Sequence, residues 1–177
     1  QAVIKDCNGI TYYGGKRDQT SRNTRVKARV KAEALREFIT VKDKIFVMGH
    51  QLTDVDSFGA AIGIYRAANA LEKRAYIVIN EVSASLKPLY TAYENNPDYP
   101  ERLFLNSAEA LELADESSMV VVVDTNRPGM TECEELLHVA KTIVVLDHHR
   151  QSSDNIDNAL LSYIEPYASS ACEMVSE

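Results

Sequence analysis

Three short apolar stretches of the chain run into residues that can bind a cation or move a proton. "KIFVMGH" (44–50) ends at His50 and is followed by Asp54 and Asp56. "MVVVVD" (119–124) ends at Asp124, and "TIVVLDHH" (142–149) ends at Asp147, His148 and His149. Of the four histidines, three fall in these segments; the fourth, His138, lies in a helical pattern and reads as structural. If the aspartates converge, they repel one another, and each should titrate above its ordinary range unless a cation neutralises the group. Imidazole and carboxylate donors without thiolate suit Mn²⁺, Mg²⁺, Fe²⁺ or Zn²⁺. Five or six such donors exceed the needs of one ion that keeps an open position. They match a pair of ions about 3.5–4 Å apart that share a carboxylate, an arrangement suited to displacement at phosphorus. Asp124, at the end of a central strand, is the natural bridge.

Each piece alone has an ordinary explanation. An aspartate after a strand is usually a cap or turn residue, and a His-His pair can be inert. The joint occurrence at three strand ends is what argues for a metal site. Asn126, Arg127 and Arg150 follow these segments and can contact phosphate, with a plain surface role as the alternative for each. Within "GHQLTDVDSFGAAIG" (49–63), Asp56 or Ser57 can cap the helix that follows. Gly59, Ala60, Ala61 and Gly63 would let that helix pack closely on the sheet, and its N-terminus would offer N–H groups and a positive dipole end to a phosphate.

The elements that must position these groups are legible as a pattern. "AYIVI" (75–79) and "ALLSYI" (159–164) join the three runs above as strand candidates. Strands apolar without alternation are buried on both faces, as in a parallel sheet. Helical patterns over 57–72, 86–94, 107–115 and 131–140 lie between them. The expectation is an α/β fold, a mainly parallel β-sheet flanked by helices, in which the strand carboxyl ends share one rim. Upstream, "QAVIK" and "ITYYGGK" read as two short strands around Asp6-Cys7-Asn8-Gly9. A helix over 25–39, capped by Thr24, follows; Val26, Val30 and Leu35 give it a weak apolar stripe, and its basic residues read as a solvated face rather than a phosphate site. The last residues, "SSACEMVSE", read as the start of a helix with a serine cap.

Composition narrows the class. Apolar residues make up 45% and charged residues 25% of the 177, as in a globular domain. No apolar run approaches the roughly 20 residues that span a bilayer. Cys7, Cys133 and Cys172 are few, odd in number and far apart, which suggests neither a zinc ribbon nor a disulfide framework. A net charge of −7 argues against a duplex nucleic-acid surface, although bound cations can reverse the local field.

The series His50-x3-Asp54-x-Asp56, then Asp124, then Asp147-His148-His149 resembles the motifs of the DHH phosphoesterase superfamily. The flanks "VMGHQLTDVDSFGAAIGIYR", "VVVDTNRPGM" and "VVLDHHR" resemble its GdpP (YybT) type, the membrane-tethered cyclic-di-AMP phosphodiesterases. "QAVIKDCNGITYYGGK" with "TRVKARVKA" resembles the end of that group's degenerate GGDEF domain and its linker helix. The resemblance thus implies three parts: residues 1–22 as that tail, 23–40 as the linker helix, and 41–177 as a C-terminally incomplete DHH domain, the DHHA1 domain being absent. It implies hydrolysis of cyclic-di-AMP to linear pApA by a hydroxide activated by two divalent ions, Mn²⁺ foremost. One ion would take His50, Asp54 and Asp124, the other Asp56, Asp124 and His148. Asp147 and His149 would act beside them, one orienting a ligand, the other assisting proton transfer or contacting phosphate. It further implies a cytoplasmic domain of a bacterial cell-membrane protein and leaves room for a homodimer. The family's further aspartate ligand should lie beyond Glu177, since Asp154 and Asp157 follow too soon, and the isolated chain should therefore be weak or inactive. Two other readings stand beside this one: another DHH hydrolase acting on pyrophosphate or short oligonucleotides, and a regulatory module that keeps the fold without chemistry.

Overall fold

The computed structural model describes residues 2–6, 9–13, 17–151 and 153–177, with side chains from residue 26 onward. The elements run β1 (Ala2–Asp6), β2 (Gly9–Tyr13), α1 (Arg17–Thr40), β3 (Lys44–Met48), α2 (Val55–Ala70), β4 (Arg74–Val78), α3 (Lys87–Glu94) and β5 (Phe104–Leu105). They continue with α4 (Ser107–Leu113), β6 (Met119–Val123), a 3₁₀ turn (Pro128–Met130), α5 (Leu136–Val139), β7 (Thr142–Asp147), β8 (Leu161–Ile164) and α6 (Ala171–Ser176). β1 and β2 form an antiparallel pair. The expected turn between them involves Cys7 and Asn8, which lie outside the described residues.

Strands β3 to β8 form one six-stranded sheet in the order β5-β4-β3-β6-β7-β8, parallel throughout. The apolar runs become its central strands because both faces are covered. Ile45, Val47, Met119, Val121, Val123, Val144 and Leu146 join the core under α2 and α6. Phe46, Met48, Val120, Val122, Ile143 and Val145 join the core on the other face, with Ala110, Leu136 and Leu137. The register matches Val47 to Val121 and Val123 to Leu146. The winding reverses between β3 and β6, and an open α/β sheet has its ligand crevice at such a reversal, beyond the strand carboxyl ends.

Several local expectations need correction. α1 starts at Arg17, so Thr24 lies inside the helix and does not begin it. Val26 and Val30 are exposed, while Ala28 and Ile39 are buried and Leu35 and Phe38 pack beside them. The inward stripe of α1 is therefore set by where β8 and α6 lie, not by its valines. The helical pattern at 131–140 reduces to the single turn Leu136–Val139 behind the 3₁₀ turn. β5, two residues long, carried no readable pattern. Ser170 caps α6 as expected, accepting the Glu173 N–H.

Candidate metal centre

The parallel register brings the ends of β3, β6 and β7 side by side, and with them the three ionisable segments. Asp124 follows β6 directly, its N–H still donating to the Leu146 carbonyl at 3.0 Å. Its backbone has φ of 60°, a left-handed conformation that a side chain makes costly, by roughly 1–3 kcal/mol. The carboxylate is 3% exposed. Its Oδ2 lies 3.4 Å from His50 Nε2, and its Oδ1 lies 3.3 Å from His148 Nε2 and 3.7 Å from His149 Nδ1. One aspartate thus faces imidazoles from two separate strand ends. Asp54 Oδ2 is 3.9 Å from His50 Nε2, and Asp56 Oδ2 is 3.6 Å from His148 Nε2. The hydrogen bond to Asp124 raises the His50 pKa above its ordinary value, outweighing burial, which lowers it.

The loop from β3 into α2 is held by short contacts. A Cβ on Gly49 would sit 1.8 Å from Ser57 Oγ, so glycine is what lets the first turn of α2 approach the end of β3. The helix cap is Asp54, not Asp56 or Ser57: Asp54 Oδ1 accepts the N–H groups of Asp56 (2.9 Å) and Ser57 (3.0 Å). Those N–H groups are therefore engaged and not on offer to a phosphate. Asp56 turns the other way. Its Oδ2 and Oδ1 accept the N–H groups of Ala171 and Cys172, each at 2.8 Å. Burial pushes its pKa up, but these N–H donors, the Cys172 thiol and His148 prevail and hold it below the ordinary value. Asp56 thus departs from the expectation that every carboxylate of the cluster titrates high. Gly59 and Gly63 face α6 rather than the sheet: a Cβ at either would come within 2.5 Å of Cys172 Sγ or Val175 Cγ1.

Asp147 is fully buried and spends both oxygens on its neighbours. Oδ1 accepts from the His149 N–H (3.1 Å) and pairs with His149 Nδ1 (2.8 Å); Oδ2 accepts from Asn126 Nδ2 (2.6 Å). The Asn126 amide nitrogen is thereby committed to Asp147. Arg127 and Arg150 are exposed, and both line the cleft of about 580 Å³ that holds His50, Asp54, Asp56, Asp124 and the histidine pair. His138 lies outside this cleft, exposed on α5, whose Leu136 and Leu137 are buried. Sequence reasoning missed Glu132, a buried carboxylate beneath the His50 loop. Its only sequence signal is "TECEELL", where it is one of three glutamates.

The donor set fits a divalent cation. His50, Asp54 and Asp124 offer one cluster of ligand atoms, and Asp124, His148 and His149 a second, each within 4.8 Å. Asp124 Oδ1 is buried and accepts no hydrogen bond among the described residues, although the ring nitrogens of His148 and His149 face it. A buried carboxylate oxygen in that state is costly unless a cation completes it.

A doubly wound parallel sheet carrying Asp and His beyond the carboxyl ends of β3, β6 and β7, beside the β3/β6 switch point, defines the class, and residues 44–177 match the DHH family, N-terminal domain. The chain belongs to that family. It is 41% identical over 180 aligned residues to the cyclic-di-AMP phosphodiesterase PdeA of Listeria monocytogenes, and 40% identical to the cyclic-di-AMP phosphodiesterase GdpP of Bacillus subtilis. Each alignment covers 100% of this chain and 27% of the relative, so the chain spans about a quarter of the length of these proteins. The fold is also that of an exopolyphosphatase-related protein from Bacteroides fragilis, with a TM-score of 0.64 at 19% identity, covering 83% of this chain and 42% of that one. No helix among the described residues is long and apolar enough to cross a membrane.

Proposed function

We propose that this chain is the metal-binding part of a phosphodiesterase that opens cyclic-di-AMP to linear pApA. The observation that carries the reading is the buried Asp124 carboxylate, whose two oxygens face His50 and His148 from different strand ends. The 40–41% identity to two cyclic-di-AMP phosphodiesterases over the whole chain supports the substrate. His50 and Asp54 would hold one Mn²⁺ ion, Asp56 and His148 the other, and Asp124 both. When bound, such a pair supplies Lewis-acid stabilisation of charge at phosphorus and activation of a water.

The chain's own residues do the rest. Asp147 engages His149 Nδ1, which leaves Nε2 of the neutral ring as a proton acceptor and, once charged, a donor to the departing ribose oxygen. Arg127 and Arg150, at the cleft wall, are suited to hold phosphate oxygens in place. Asn126 acts through Asp147. The test is hydrolysis with Mn²⁺ of cyclic-di-AMP, pApA and pyrophosphate, by this chain and by a protein extended to the length of the relatives. The reading expects cyclic-di-AMP to be opened to pApA by the longer protein and weakly by the chain alone. Turnover of pyrophosphate without turnover of cyclic-di-AMP would overturn it.

A further inference from the structure

We infer that Glu132 is a positioning residue for the His50–Asp54 half of the metal centre. Glutamate is almost never fully buried unless paired, and burying a carboxylate is costly unless hydrogen bonds satisfy it. Glu132 is 6% exposed and lies outside both the cleft and the two ligand clusters. Its oxygens are nevertheless well partnered. Oε1 accepts from Thr53 Oγ1 at 2.7 Å, and Oε2 accepts from the Asn80 N–H at 3.1 Å and from Asn80 Nδ2 at 2.7 Å.

These partners sit on the loops that carry the ligands. Thr53 immediately precedes Asp54, and its hydroxyl also lies 3.0 Å from the His50 carbonyl. Asn80 follows β4 and accepts the Ser107 N–H at the start of α4. The Glu132 backbone completes the tie: its N–H donates to the Gly49 carbonyl (3.0 Å), and its carbonyl accepts from Asn80 Nδ2 (2.8 Å) and Ser107 Oγ (3.0 Å). Just upstream, Thr131 forms an antiparallel bridge with His50, and the Gln51 N–H donates to the Met130 carbonyl at 2.8 Å. Segment 130–132 therefore lies along 49–51 as a splint, and the Glu132 side chain extends it to Thr53. Freedom lost by this loop is freedom lost by His50 and Asp54. No comparable tie runs from Glu132 to His148 or Asp56, whose anchors are β7 and α6.

This role rests on the metal reading proposed above, and the two separate cleanly. Mn²⁺ binding is titrated by electron paramagnetic resonance on the wild-type chain and on Thr53→Val, Glu132→Leu and Glu132→Gln, with circular dichroism to confirm folding. A wild-type chain that binds no Mn²⁺ sinks the metal reading itself. With two ions bound by the wild type, Thr53→Val and Glu132→Leu should weaken one site about tenfold or more relative to the other, the scale of lost support for a metal ligand. Glu132→Gln should rescue, staying within about threefold of wild type, since its amide can accept from Asn80 and donate to Thr53. Thr53→Val removes one hydroxyl and decides the matter even if Glu132→Leu does not fold. A folded Thr53→Val chain with wild-type affinities, or one that loses both sites equally, would overturn the role.

Discussion

At the scale of single residues, Asp124 concentrates the strain and the chemistry. It has a left-handed backbone, is almost fully buried, and has one oxygen that accepts no hydrogen bond among the described residues. A bound cation relieves that oxygen, so Mn²⁺ should stabilise the fold by linkage, by about 2.7 kcal/mol at a hundredfold excess over Kd. Asp124→Asn should lose most of the resulting rise in melting temperature, as read by differential scanning fluorimetry with and without chelator; an undiminished rise would show that Asp124 is not shared between ions. A second carboxylate makes a pH prediction away from the site. Asp115 pairs with Lys44 at the start of β3 and accepts from Ser117 and Ser118, and this holds its pKa well below the ordinary 3.8. A depressed folded-state pKa contributes stability above the unfolded value, which is lost as pH falls towards the folded one. Asp115→Asn should therefore lower the melting temperature at pH 7, and the gap from wild type should close as pH falls below about 4. A gap that stays constant between pH 7 and pH 3 would contradict this.

At the scale of elements, the strand ends were readable from sequence because buried parallel strands are plain apolar runs and their last residues stand out against them. His50, Asp54, Asp56, Asp124, Asp147 and His148 were singled out in this way, and the structure brings them to one cleft. Their local engagements were not. Nothing in "TDVDS" distinguishes the aspartate that caps α2 from the one that does not, and Asp56 is held by Ala171 and Cys172, 115 and 116 residues away. Glu132 was invisible because a glutamate between Thr131 and Cys133 in an acidic stretch reads as a solvent charge. The α2–α6 contact explains Gly59 and Gly63, which were read as facing the sheet. Its test is Gly63→Leu, whose added carbons meet Val175 and should cost about 1–3 kcal/mol as overpacking. Because α6 grips Asp56, the same variant should also weaken Mn²⁺ binding, measured by titration calorimetry. A destabilised chain with unchanged Mn²⁺ affinity would show that the α6 contact to Asp56 does not serve metal binding.

At the scale of the whole molecule, the reversal of winding between β3 and β6 does what no local pattern can. It puts the carboxyl ends of β3, β6 and β7 in consecutive positions, so donors some 70 and 100 residues apart in sequence share one cleft, as expected of ligand sites in doubly wound sheets. The α/β class and parallel sheet were legible from alternating strand and helix patterns. The strand order was not, because apolar runs of similar length carry no record of which neighbours they choose. A net charge of −7 with an acidic cleft makes cation binding favourable over the molecule as a whole. The most direct check is anomalous diffraction at the manganese edge from crystals soaked in saturating Mn²⁺. Two peaks flanking the Asp124 carboxylate, one beside His50 and Asp54 and the other beside His148 and Asp56, are the predicted result. A cleft without manganese peaks under those conditions would contradict the account at its centre.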